Sequence, residues 1–286
     1  MNTDNKQNKK VGVVHPGMMG ISVAATIQNG GHTVYWASEG RSEQTRQRAE
    51  QHHLEDAGSM QELCSNVDII VCVCPPHAAE DIAGQVVAQS FQGIYVDANA
   101  ISPQRTLQIA ETLEQAGIAF VDGGIVGLPT AHPGETWLHL SGQQAEEVAT
   151  LFASGPMEIN IIGQEPGKAS ALKMCYAAYT KGSTALLSAV LAAAETLGIR
   201  AQLEQQWTNH WPGFAGETHN RIRNVTAKAW RFSGEMREIA STFQQAGMPP
   251  GFHQAAEEIY NRLGHYKDAS TKPSLEEILE SLKRNS

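Results

Sequence analysis

From Lys10 to Ile162 the chain alternates short runs rich in Val, Ile and aromatic residues with longer stretches whose apolar residues recur at helical spacing. The first pattern predicts strands and the second helices. Strands are expected at Val11–Val14, His32–Trp36, Asp68–Val73, Gly93–Asp97, Ala119–Asp122, Thr136–Ser141 and Glu158–Ile161. Helices are expected at Met18–Asn29, Ser42–His52, Ser59–Cys64, Ala78–Val87, Pro103–Ala116 and Gln143–Ser154. Such alternation needs crossover connections, hence a mainly parallel sheet covered on both faces. Asp68-Ile-Ile-Val-Cys-Val-Cys74 fits a doubly covered strand, because it is apolar almost throughout.

The pattern changes near Gly163-Gln-Glu-Pro-Gly167. Lys168–Leu197, rich in Ala, Leu, Met and Ser and free of proline, predicts one long, mostly buried helix. No strand pattern follows. Further helices are expected at Gln202–Asn209, Phe214–Trp230, Gly234–Ala246, Phe252–Leu263 and Ser274–Arg284, with Pro249-Pro250-Gly251 as a clear break. The domain boundary therefore falls near residue 164, giving an α/β domain over 1–164 and a helical one over 165–286, with residues 1–9 as a disordered tail.

At 286 residues and 41% hydrophobic, the chain can build two ordinary domains with a sizeable core. The net charge of −9, with scattered Lys and Arg, argues against a nucleic-acid or membrane-surface partner. The N-terminal stretch lacks the apolar segment of a signal peptide, and no run is long enough to span a bilayer. Cys64, Cys72, Cys74 and Cys175 form no C-x-x-C pair and read as buried thiols, not as a disulfide or metal site. That usage fits a cytoplasmic protein.

The chemistry begins at the end of the first strand. Val11-Gly-Val-Val-His-Pro-Gly-Met-Met-Gly20 is a strand that ends in a tight glycine turn and opens a small-residue helix. A strand, glycine turn and helix of this kind cradle a dinucleotide, with the pyrophosphate at the helix N-terminus. The full fingerprint is G-x-G-x-x-G. His15 stands in place of the first glycine, and Gly17 and Gly20 are kept. Histidine tolerates unusual turn dihedrals better than most residues.

Several segments taken together carry a family resemblance. They are Ser38-Glu-Gly-Arg-Ser42, Gly93 to Pro103, Phe120-Val-Asp-Gly-Gly-Ile-Val-Gly127, Glu165 to Met174, Tyr179-Thr-Lys-Gly182, Glu235 to Phe243 and Gly247-Met-Pro-Pro250. In this order they resemble the β-hydroxyacid dehydrogenases, which include 3-hydroxyisobutyrate and 6-phosphogluconate dehydrogenases. More narrowly, the chain is similar to a subgroup of 6-phosphogluconate-dehydrogenase-like NAD(P)-binding proteins with a C-terminal domain of unassigned function. The resemblance implies a Rossmann-type, mainly parallel sheet domain followed by an all-helical substrate and dimerisation domain. It also implies a small-molecule substrate and a homodimer.

Site residues follow from both readings. His15, Pro16, Gly17, Met18 and Met19 form the cofactor turn. Ser38, Arg41 and Ser42 suit the 2′-phosphate of NADP, while Glu39 occupies about the position where NAD sites place an acid. NADP is expected, with NAD the less favoured cofactor. Ser42 equally reads as a helix N-cap. In the resemblance Cys74 and Pro75 cover the adenosine side, and Asn99 lies near the nicotinamide. Gly123, Val126 and Gly127 match the substrate segment, where Val126 replaces a carboxylate-binding serine. Lys173 matches the family's general acid/base, and Ala177 stands where an asparagine is usual. Tyr176 and Thr180 are the candidate polar partners of Lys173, and Lys181 is a candidate for an anionic substrate group. No segment has metal-ligand spacing. The implied activity is NADP-linked hydride transfer on a hydroxy acid. Imine reduction and a cofactor-binding protein without turnover are the alternatives.

Overall fold

The protein is described by a computed structural model over residues 8–129, 132–267 and 269–283. Most of the expected N-terminal tail, together with Arg284, lies outside the described residues. The chain divides into two compact units, one up to Lys173 and the other from Met174 onward.

In chain order the first unit has β1 (Lys10–Val14), α1 (Met18–Asn29), β2 (Thr33–Trp36), α2 (Glu43–Gln51), β3 (Glu55–Asp56), α3 (Met60–Asn66), β4 (Ile69–Cys72), α4 (Ala79–Ala88), β5 (Ile94–Asp97), α5 (Pro103–Gln115), β6 (Ala119–Gly127), β7 (Thr136–Ser141), α6 (Ala145–Thr150) and β8 (Met157–Gly163). The strand order is β3-β2-β1-β4-β5-β6-β7-β8. All neighbours pair in parallel except β6 and β7, which are antiparallel. This is the doubly wound arrangement that the apolar periodicity predicts. Side chains of the central strands alternate between two cores. Val11, Val13, Ile69, Val71, Ile94 and Val96 pack on one face, and Val14, Ile70, Cys72 and Tyr95 on the other. Each fully buried Val or Ile contributes about 1.5–3 kcal/mol, so a sheet apolar on both faces holds its helices without further devices.

Two differences from the sequence reading matter for the site. The short edge strand β3 was not expected, since two charged residues carry no apolar signal. β6 runs to Gly127, beyond the strand expected to end at Asp122, because β7 pairs with Gly123, Gly124, Ile125, Val126 and Gly127 in register.

Helix α7 (Lys168–Ala177) spans the division between the units. The second unit continues with a π-helical turn (Ala178–Gly182), α8 (Ser183–Thr196), α9 (Arg200–His210), α10 (Phe214–Val225), α11 (Ala229–Gln245), α12 (Gly251–Arg262) and α13 (Leu275–Lys283). No strand occurs among its described residues. The long helix expected over Lys168–Leu197 is thus interrupted by the π turn, whose widened winding frees backbone carbonyls. Arg221 takes up one of them, donating from Nη2 to the Thr180 carbonyl at 2.6 Å, while its Nε donates to Thr184 Oγ1 at 2.6 Å. The expected break after Trp230 lies instead at the turn Thr226–Lys228. Cys64, Cys72 and Cys74 are buried free thiols as expected, but Cys175 is exposed.

Candidate active site

The ends of β1, β2, β4 and β5 lie along one edge of the parallel sheet, where an open α/β sheet binds ligands. His15, after β1, has φ +64°, the left-handed conformation that a glycine would take there. Its carbonyl accepts from Gly17 N at 2.7 Å. Gly17, at φ −73°, is the N-cap of α1 and needs no special backbone freedom. What it supplies is space, since the nearest atom to a Cβ there would be His15 O at 3.9 Å. A Cβ on Gly20 would collide with the His15 carbonyl, so Gly20 lets α1 pack against the turn. No side chain caps α1, which leaves its first-turn N–H groups, those of Met18 and Met19 among them, for an anion.

Arg41 Nη1 contacts His15 Nε2. Burial, then the charges of Arg41 and His77, push His15 down to about 4, so the ring is neutral at pH 7 and accepts from the guanidinium. Arg41 Nε and His15 Nδ1 are buried without partners. Arg46 Nη2 donates to the carbonyl of buried Ser38 at 2.8 Å, and Arg48 Nη1 donates to the Pro16 carbonyl at 3.4 Å. Arg46 and Arg48 escaped the sequence reading, because on a polar surface helix they resemble any solvated charge. Ser42 caps α2, accepting from Thr45 N at 3.3 Å. A dinucleotide fits these residues: space at Gly17, a bare helix end, and a guanidinium beside the turn.

Between β4 and β5 the side chains are more committed than the sequence suggests. Asn99 Oδ1 accepts from Cys74 N at 2.5 Å, its own N–H donates to Asp97 Oδ1 at 2.9 Å, and its Nδ2 lies 3.5 Å from Cys72 Sγ. Asn99 therefore braces the turn bearing Cys74 and Pro75. Asp97 is fully buried, and burial is the main cause of its rise to about 7. Its Oδ2 has no partner.

On β6, Asp122 Oδ2 accepts from Ser141 Oγ at 3.0 Å, Gly167 N at 2.8 Å and Ser170 N at 3.0 Å, and Oδ1 accepts from Ser170 Oγ at 2.6 Å. Burial holds this carboxyl above its ordinary value, and the Ser170, Ser141 and Gly167 donors offset only part of the rise. Asp122 thus anchors the start of α7 to the sheet. A Cβ on Gly124 would collide with the Ala169 carbonyl and lie 3.2 Å from Lys173 Cβ. The bare backbone at Gly124 is what lets α7 settle with Lys173 above β6. Gly123 is equally confined, a Cβ there meeting the Asp97 carbonyl at 3.1 Å.

The β6–β7 register sets Asp122 opposite Ser141, Gly124 opposite His139, and Val126 opposite Trp137. These residues share the sheet face on which α7 lies. Burial, then the Lys173 charge, lowers the His139 pKa. His139 and Trp137 were missed, although the alternation in Thr136-Trp-Leu-His-Leu-Ser141 places both on one face. Gly127, at the exposed end of β6, has φ +126°.

In the second unit, Tyr176 is half exposed, and Thr180 Oγ1 donates back to the Tyr176 carbonyl at 3.0 Å. Lys181 forms an ion pair with buried Glu235 and lies 4.7 Å from the Phe232 ring centre. A substrate anion at Lys181 would have to displace Glu235. A concavity lined by Glu195, His265, Tyr266, Glu276, Glu277 and Glu280 carries the wrong charge for a phosphate-bearing cofactor. Among the described residues, no group of three or more His, Cys, Asp or Glu side chains is placed to hold a metal ion, and no helix is long and apolar enough to cross a membrane.

Residues 10–154 match the NAD binding domain of 6-phosphogluconate dehydrogenase, and residues 194–263 match a domain of unknown function, DUF1932. The chain belongs to the family of the first. An uncharacterized 28.5 kDa protein of Methanothermus fervidus is 32% identical over 164 residues, 57% of this chain. The match spans 62% of that relative's length, less than two thirds. A conserved protein of unknown function, described as structurally similar to 3-hydroxyacid dehydrogenases, superposes with a TM-score of 0.69 at 28% identity, over 90% of this chain and 97% of that one. The 3-hydroxyisobutyrate dehydrogenase of Mycobacterium tuberculosis, solved with L-serine, superposes with a TM-score of 0.71 at 16% identity, over 97% of this chain and 100% of that one. Imine reductases share the fold at TM-scores of 0.53–0.57, one of them with NAD+ bound.

Proposed function

We propose that the protein is an NADP-dependent oxidoreductase that moves a hydride to or from a small hydroxy-acid-like substrate, with Lys173 as general acid and base. The observation that carries this reading is the seat of Lys173. Asp122 fixes the start of α7 through four hydrogen bonds, and Gly124 admits the helix so closely that Lys173 stands over β6. In reduction the Lys173 ammonium gives a proton to the carbonyl oxygen as the adjacent carbon accepts a hydride. In oxidation the amine takes the hydroxyl proton. A bound nicotinamide supplies or accepts the hydride.

Arg41 supports NADP over NAD, because a guanidinium meets a 2′-phosphate with paired donors. The neutral His15 ring holds that guanidinium without repelling it. Arg41→Ala should therefore weaken NADPH binding by about tenfold or more and leave NADH binding nearly unchanged. A fluorescence titration of both nucleotides checks this, and equal losses for both would discard the NADP assignment.

The test of turnover is NADPH absorbance over a panel of hydroxy acids, oxo acids and cyclic imines. Lys173→Ala should lower kcat by about 10²–10⁴-fold with the NADPH Kd unchanged. Full turnover by that variant would remove the lysine from proton transfer. Imine reduction remains the second reading. It is favoured by Val126, whose side chain cannot bind a carboxylate, and turnover of imines alone would select it. Nucleotide binding without turnover on the whole panel would instead select a binding protein. The proposal also takes the protein as a cytoplasmic homodimer, in keeping with its free thiols and the small apolar residues of α8. Sedimentation at micromolar concentration tests the dimer.

A further inference from the structure

The sheet face beside Lys173 carries more chemistry than the proton donor alone. Gly124 on β6 is directly opposite His139 on β7, which in turn is opposite Asn160 on β8. One residue pair further along the same face, Val126 is opposite Trp137. Opposed residues of an antiparallel pair keep their Cβ atoms about 4.5–5.5 Å apart, so His139 is the near neighbour of the Gly124 site that seats Lys173. Asn160 Nδ2 lies 3.3 Å from His139 Nδ1. An amide nitrogen only donates, so Nδ1 accepts and the ring proton sits on Nε2. Among the described residues nothing accepts from that Nε2–H. The ring lies nearly parallel to Trp137, at an interplanar angle of 12° and a centroid distance of 6.4 Å, and Trp137 is 41% exposed.

We propose that this face is the substrate-recognition surface, and that it selects a hydroxy or oxo acid carrying a flat apolar substituent. His139 donates Nε2–H to the substrate carboxylate, replacing the hydroxyl that Val126 lacks. Trp137 and Val126 form an apolar shelf for the substituent, and Lys173 addresses the reacting oxygen between them. The inference rests on the reading that Lys173 meets substrate. It differs from it by naming a donor outside the β6 segment and a preference that Lys173 alone does not give. The surroundings keep His139 a neutral donor near pH 7. Lys173 faces it from α7 with positive charge, Asn160 faces it from β8 without charge, and Glu158, opposite Trp137 on β8, is one pair away. On β6 the charged residue of this face is Asp122, which is occupied by its four donors.

The experiment titrates phenylacetate, a flat carboxylate with nothing to oxidise or reduce, into the full chain saturated with NADPH. The signals followed are the Trp137 indole N–H and the His139 ring in NMR spectra. Wild type should bind and shift both signals, and acetate should bind about tenfold more weakly. His139→Ala should weaken phenylacetate about tenfold while leaving the thermal midpoint unchanged, and His139→Gln, which keeps an N–H donor, should recover most of the loss. Trp137→Ala should abolish the preference over acetate. Equal binding by wild type and both alanine variants would overturn the proposal, as would no binding to any of them. The two readings fail separately. Binding as described without turnover of phenyl-bearing hydroxy acids would sink hydride transfer and keep the surface. Turnover indifferent to His139 and Trp137 would do the reverse.

Discussion

Asp97 and Asp122 stand opposite each other on β5 and β6, both in the interior, and they have opposite fates. Asp122 accepts four hydrogen bonds, from Ser141, Gly167 and Ser170, at the start of α7. Asp97 accepts one that defines its position, from Asn99 N, and its Oδ2 meets no donor. Burial raises both carboxyls, but the same side chain at the same depth is a four-donor anchor in one strand and keeps an unpartnered oxygen in the other. The difference lies in what the following chain brings over it. Above Asp122 a helix begins, and a helix start presents N–H groups that need an acceptor. Above Asp97 the chain turns toward Asn99, whose side chain is spent on Cys74 and Cys72. Burial alone therefore does not decide whether a carboxylate is structural, and the count of donors does.

The largest expected effect is from Asp122→Ala. It leaves the Gly167 and Ser170 N–H groups and the Ser141 hydroxyl without their acceptor in the interior, and should cost about 3–5 kcal/mol of stability. Because α7 carries Lys173, kcat should fall as well, even at temperatures where the variant is folded. Denaturant unfolding with activity measured alongside checks both. A loss of less than about 1 kcal/mol would mean that the carboxylate is not the anchor.

Asp97 should behave in the contrary sense. Its folded pKa of about 7 is above the ordinary 3.8. Stability from the protonated form is thus full below about pH 4 and is lost as pH rises to 7, on the order of 4 kcal/mol at about 1.4 per unit. Asp97→Asn cannot ionise, so its stability relative to wild type should climb over that window. The unpaired amide gives back about 1–3 kcal/mol, leaving a net gain near 2 above pH 8. Thermal midpoints from pH 4 to 8 measure the slope. Parallel curves for variant and wild type would show that Asp97 is ionised throughout and that the two aspartates do not differ.

The pair also shows what a sequence displays and what it hides. The β1–α1–β2 unit was legible because an apolar run, a glycine turn and a small-residue helix are adjacent in the chain. Lys173 was singled out through the family resemblance, whereas its seat beside Gly124 depends on a residue far away in the chain. The contrast between Asp97 and Asp122 was not, since it depends on β5–β6 register and on Ser170, which is 48 residues from Asp122. The same reason hid the commitment of Lys181 to Glu235, 54 residues away. The end of β6 misled because Gly-Gly-Ile-Val-Gly reads as a loop until a partner strand is known. The π turn misled because Ala178-Tyr-Thr-Lys-Gly182 holds no residue that breaks a helix outright. His139 and Trp137 were within reach, as their alternation is local. What was missing was the knowledge that Gly124 faces them.

The smallest effect tests how far the Asp122 network extends. Thr106 on α5 lies with Oγ1 2.9 Å from Ser170 Oγ and 3.2 Å from the Ser102 carbonyl. Ser170 spends its hydroxyl proton on Asp122 Oδ1 at 2.6 Å, so it can only accept from Thr106. Thr106→Val removes that incoming bond but strands no buried donor, because the Ser170 proton keeps its acceptor. The cost should be about 1 kcal/mol, and Thr106→Ser should restore it. Double-mutant cycles with Asp122→Ala decide whether the two act as one unit. Coupling near zero would confine the anchor to the carboxylate and its direct donors. A Thr106→Val loss as large as that of Asp122→Ala would move the anchor of α7 from the sheet to α5, and the contrast between the two aspartates would lose its cause.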